Sequence, residues 1–176
     1  MGFLHKLIRK IASKKQLTPP APKPKKSLEE IWLLEDPSDL IGELDVYIAI
    51  KCEYGEYLSV LSPQEKVFYI TQILEMEVNN GGFDQFFFNS SGDLANEVVR
   101  AFLEIGAVKT AEICKKAISI FGAEVPTNRD ERQDFLDEHE ELEEILGECD
   151  DAFFAYEEDL DALNYAYVMN NKPSFR

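Results

Sequence analysis

Histidine is nearly missing from this sequence of 176 residues, which has only His5 and His139. That removes most of the general-base and metal chemistry available to the side chain best suited to both. Cysteine is sparse too. Cys52, Cys114 and Cys149 are odd in number, far apart and without a C-x-x-C pair, so neither a disulfide framework nor a zinc site is expected, and a reducing cytoplasm fits. No apolar run approaches the roughly 20 residues that a membrane-crossing helix needs. The first residues do not read as a secretory signal, because Lys6, Arg9 and Lys10 interrupt the apolar positions and no small-residue cleavage site follows. Bases are few: 18 Lys and Arg stand against 34 Asp and Glu, a net charge of −16 that disfavours direct nucleic-acid binding. Calcium-loop, zinc-helix, diiron, nucleophile-elbow and phosphate-loop motifs are all lacking. No catalytic residue, metal or cofactor is therefore expected, and the protein is read as not an enzyme.

The charge that is present is segregated. Residues 1–26 hold eight bases and no acid, whereas the remaining 150 residues hold 10 bases and 34 acids, so a +8 segment precedes a body of −24. Within the first 17 residues Phe3, Leu4, Leu7, Ile8 and Ile11 recur at helical spacing, with Lys6, Arg9 and Lys10 largely on the other side, as in a basic amphipathic helix. Residues 18–27 are rich in proline and lysine and read as a semi-rigid linker, since proline donates no amide proton and extends its predecessor. Three readings of this tail stand: a solvated terminus, an anchor on an anionic bilayer, or an arm on an acidic partner. Lys6 sits where a myristoylation signal wants Ser or Thr.

From residue 28 to 176 the pattern predicts an all-α, compact multi-helix domain. Ser27, Asp36-Pro37 and Ser62-Pro63-Gln64-Glu65 read as helix starts, the last as a capping box for a helix burying Val67, Phe68, Ile70, Ile73 and Leu74 and stopping at Asn80-Gly81-Gly82. Asp93 is placed to cap the next helix, which Gly106 closes, and another runs to Gly122. Asn128 is placed to cap a long acidic helix breaking at Gly147, and a last helix is predicted over about 151–170. No stretch alternates like a strand. His139 shares spacing with Phe135, Leu142 and Leu146, which predicts a packed structural histidine.

Between Asp130 and Asp161 sixteen carboxylates face one base, Arg132. Asp130, Asp134, Asp137, Glu141, Glu144 and Glu148 fall at alternating spacings of four and three, which lines one helical face. A continuous helix of this length carries about one charge per 3 Å, close to the ~3.4 Å between phosphates along the axis of one DNA strand. Together with Glu138, Asp151, Glu158 and Asp161 these acids are the candidate partner-binding set. A solvated face is the competing reading; the sharper one is that the acids attract a basic protein where it expects phosphates.

The segment Asn79 to Asp93, NNGGFDQFFFNSSGD, followed by Ile105-Gly106-Ala107 and the late stretch DDAFFAYEEDLDALNYAYV, resembles a bacterial DNA-mimic protein family, an all-helical former domain of unknown function. The resemblance covers about residues 35–170 and leaves out the tail. The motif itself reads as a structural stop and re-entry: Asn80, Gly81, Gly82 and Gly92 shape the backbone, Phe83, Phe86, Phe87 and Phe88 pack inward, and Gln85 and Asn89 bond exposed backbone ends. The resemblance implies sequestration of a transcriptional regulator or other DNA-binding protein without catalysis. The family's partner-contacting acids are not part of the shared motif, so the set above rests on spacing alone. The expected partner is thus a basic DNA-binding protein, with no direct nucleic acid; a membrane surface reached through the tail and a homodimer are the other partners this reading admits. The expected location is cytoplasmic, or peripheral at the inner face of the membrane, and the alternative function is a membrane-tethered adaptor.

Overall fold

Helix boundaries here are set largely by short polar side chains that accept from the first unpaired amides of a helix. The computed structural model describes residues 24–122 and 124–176, and these form eight α-helices with no β-strand among them. The tail residues Phe3, Leu4, Lys6, Leu7, Ile8, Arg9, Lys10 and Ile11 lie outside the described residues. Ser27 opens α1 (Leu28–Ile31) through a capping box with Glu30. Asp36 opens α2 (Pro37–Lys51), accepting from the amides of Ser38 and Asp39 at 2.9 and 3.2 Å. Ser62 and Glu65 open α3 (Pro63–Phe88) as the sequence predicts.

The 26-residue α3 is the axis of the fold and packs against α2, against α4 (Ala95–Ile105), α6 (Arg129–Glu138) and α7 (Glu143–Phe154), and against α8 (Leu160–Asn170). Its buried stripe is Phe68, Ile70, Leu74 and Val78, then Phe83, Phe86 and Phe87 beyond a kink at Gly81 and Gly82; Val67 and Ile73 are only half-buried. Gly106, at φ +89°, turns α4 into α5 (Val108–Ile118). At the other end of the chain Phe175 packs edge-on against Trp32 and Phe68, at 6.2 and 6.0 Å between ring centres. Buried Glu65 receives both the Lys51 ammonium at 2.7 Å and the Arg176 amide at 2.9 Å, so the last residues are tied to the start of α3.

Three expectations are corrected. Asp93 does not cap α4, which grows out of a 3-10 turn over Ser90–Leu94 without a side-chain cap; the Asp93 carboxylate instead accepts from Arg132. The acidic helix breaks at His139 rather than at Gly147, which lies within α7. The cause is local: the His139 ring stacks on Phe135 at 4.3 Å and its Nδ1 donates to the Phe135 carbonyl, the group that the next helical amide would use, so the His139 amide turns to Leu136. The predicted final helix is divided as well, since the chain leaves α7 through Tyr156 at φ +43° and restarts at α8 with Asp159 as cap.

Candidate partner-binding face

Position 132, the one base of the acidic run, fixes how α6 sits. Arg132 has no exposed surface. Its Nε donates to the Phe87 carbonyl at 2.9 Å, Nη1 to Pro126 at 2.7 Å, and Nη2 to the Asn89 carbonyl at 3.0 Å and to Asp93 at 2.6 Å. On the same side of α6, Arg129 and Gln133 both donate to the Phe88 carbonyl, at 3.0 and 2.9 Å. The Phe87, Phe88 and Asn89 carbonyls belong to the C-terminal end of α3, where helical acceptors are left over and a cation is favoured. Gly92 makes this approach feasible: a Cβ there would meet Arg132 Nε at 2.7 Å and the Phe86 and Phe87 carbonyls at 2.9 Å.

With Arg132 buried, Gln133 half-buried and the exposed Arg129 held against the Phe88 carbonyl, the opposite face of α6 is left to acids. Asp130, Asp134, Asp137 and Glu138 are all exposed there. Past the break, Glu141, Glu144 and Asp151 are exposed, while Leu146, Cys149 and Phe153 form the inner face of α7. Among the described residues no ion pair involves Asp130, Asp134, Glu138, Glu141, Glu144, Asp151 or Asp161. Glu148 is exposed but joined to Lys116 at 2.7 Å, and this contact holds its carboxyl below the usual pKa.

Glu158 has a different task. It accepts from the amides of Lys109 and Thr110 at 3.0 and 2.9 Å and from the Thr110 hydroxyl at 2.9 Å, closing the start of α5, which has no capping side chain of its own. Burial opposes its ionisation, yet the amide and hydroxyl bonds outweigh that and keep its pKa below the usual carboxylate range. The acids chosen by spacing are thus not one collinear ridge: they divide between α6, the 3-10 turn over Glu140–Leu142 that holds Glu141, α7 and α8, and Glu158, in the link before α8, faces the fold.

The glycine motif builds the support beneath this face. Gly82, at φ +75°, restarts the helix within α3, and a Cβ on it would collide with the Asp150 carboxylate that receives the Phe83 amide at 2.8 Å. Asn80 and Gly81 are exposed and Phe83 and Phe86 buried, whereas Phe88 is half-buried and lies against the Arg129 guanidinium. Gln85 bonds a backbone end as expected, through a long contact of 3.5 Å to the Glu77 carbonyl before the kink, but Asn89 does not; the shorter bonds of Gln85, Asn89 and Ser91 all go to the buried Glu77 carboxylate, at 2.7, 2.9 and 2.7 Å. The sequence reading missed Glu77, Asp150 and Arg132 as structural groups. The signal available was that Arg132 stands alone among sixteen acids.

A family model described as DMP19-like protein matches residues 59–171, nearly two thirds of the chain, including all of the glycine motif and the acidic helices. The chain belongs to the DMP19-like protein family. Residues before 59, α2 and the basic tail among them, fall outside the match. Neither the curated proteins nor the solved structures include one that matches. Among the described residues of this DMP19-like chain there is no cluster of three potential metal ligands and no helix long and apolar enough to cross a membrane.

Proposed function

We propose that this protein is a non-enzymatic interaction protein whose α6 and α7 acids present DNA-like charge to a basic DNA-binding protein or transcriptional regulator and sequester it. Membership of the DMP19-like family supports the reading. The observation that carries it is the burial of Arg132, which takes the lone base out of the acidic surface and at the same time anchors α6. From Asp130 to Glu138 the helix rises about 12 Å and bears five carboxylates, about one per 3 Å, against ~3.4 Å per phosphate along one strand. The break at His139 makes the imitation two short segments in place of one long line.

The test is binding of a basic DNA-binding protein captured on the chain at about 50 mM salt, with duplex DNA as competitor. Duplex DNA should displace the captured protein, and affinity should fall steeply as salt rises. The triple variant Asp130→Asn, Asp134→Asn, Glu138→Gln should bind at least about tenfold more weakly, while Glu148→Gln, already paired, should change little. Capture that is indifferent to salt, or that DNA does not contest, overturns the reading.

A further inference from the structure

A pocket of about 290 Å³ lies between α3, the 3-10 turn over Ser90–Leu94 and the link that follows α2. Its walls hold Glu56, Glu77 and Asp93 and no base. Arg132 answers Asp93, but the buried Glu77 receives only neutral donors among the described residues. Gln85 and Asn89 both bond its Oε2, while Oε1 accepts from Ser91 alone and keeps an open acceptor position. A second polar group in the same pocket has no partner at all: Tyr69 is 3% exposed, and its hydroxyl makes no hydrogen bond among the described residues. Burial pushes the phenol's pKa up, so the hydroxyl stays neutral. Glu53, Tyr54 and Gly55 leave α2 at φ +49°, +56° and +95°, and a Cβ on Gly55 would stand 3.0 Å from the Tyr69 oxygen. The loop that carries Glu56 thus closes the Tyr69 end of the pocket.

We propose that this pocket binds a short aliphatic diamine, with one ammonium on Glu77 Oε1, the other between the Tyr69 hydroxyl and Glu56, and the methylene chain along Ile73. Tyr69, Ile73 and Glu77 follow one another at spacings of four along α3 and share one face, with about 12 Å of helix rise from first to last. Acceptors therefore stand toward both ends of the pocket with an apolar residue between them, and Leu58 and Leu94 add apolar wall. Two positive ends answer a buried carboxylate without a cation and an exposed one that joins no ion pair among the described residues. The volume lies at the small end of ligand pockets, roughly 300 Å³, which suits a molecule of this size. The proposal stands apart from the partner-binding function, because no acid of α6 or α7 lines the pocket.

Nuclear magnetic resonance titration of the full chain with cadaverine tests it, at about 150 mM sodium chloride to screen the surface acids. The amide signals of Gly55, Ile73 and Ser91 should shift together and saturate as a single site with a Kd of about 1 mM or tighter. n-Pentylamine, which lacks the second ammonium, should bind at least about tenfold more weakly. Tyr69→Phe removes only an unpaired hydroxyl, and Glu56→Gln alters only an exposed carboxylate, so neither threatens the fold; each should weaken cadaverine binding by at least about fivefold. The triple variant Asp130→Asn, Asp134→Asn, Glu138→Gln should bind cadaverine as the parent chain does. The proposal is overturned by shifts that do not saturate or that centre on α6 and α7, the mark of diffuse attraction to the acidic surface. Pentylamine that binds as tightly as cadaverine overturns it too, as does affinity that both Tyr69→Phe and Glu56→Gln leave unchanged.

Discussion

At position 132 a guanidinium without solvent contact satisfies three main-chain carbonyls and one carboxylate. Arg132→Met keeps the length of the side chain but strands the main-chain acceptors, and a buried carbonyl left without a partner costs about 1–3 kcal/mol, whereas the half-exposed Asp93 regains water. Urea denaturation should show a loss of about that size. Asp45 makes the opposite case. It is half-buried in α2, joins no ion pair among the described residues, and burial pushes its carboxyl up to about 6. A raised native pKa means that the folded state holds the proton more tightly, so the stabilisation is fully present below the ordinary carboxylate range and is lost as pH rises through about 6. Asp45→Asn should therefore stabilise the protein by about 1–2 kcal/mol near pH 7.5, after discounting for partial solvation, and the gain should vanish below about pH 4. Melting temperatures of both proteins across that range decide it.

Among the elements, α5 depends on a residue 48 positions away for its N-terminal cap, since Ala107 offers no acceptor and Glu158 supplies one. Glu158→Ala should cost about 1 kcal/mol in chemical denaturation at pH 7. Because Glu158 is directed into the fold, the same variant should leave affinity for a captured basic protein unchanged, which separates it from the exposed acids of α6. The caps of α1, α2 and α3 were legible because donor and acceptor lie within three residues of each other. The break at His139 was not, although it too is local: spacing counts cannot foresee that an imidazole will take the carbonyl its own helix needs.

For the whole molecule, ten bases against 34 acids after residue 26 make self-repulsion a standing cost of the folded body. Salt should relieve it. Raising sodium chloride from about 20 mM to about 500 mM, which shrinks the screening length to a few ångströms, should raise the melting temperature by several degrees. A flat or falling dependence would mean that the ion pairs inside the fold, Lys51 with Glu65 and Arg132 with Asp93, outweigh repulsion among the exposed acids.

By itself the sequence determined the all-α class, the capped starts of α1 to α3, the turn at Gly106 and the opposed charges of tail and body, because each depends on neighbouring residues or on composition. Only the tertiary structure decided which charges meet solvent. Arg132 lies 45 residues from the Phe87 carbonyl it holds, Asp150 lies 67 from the Phe83 amide, and Glu77 is reached by three side chains of the glycine motif. Helical periodicity reports which residues share a face, but not which face the rest of the chain will cover, and that choice left the acids of α6 outward and Arg132 within.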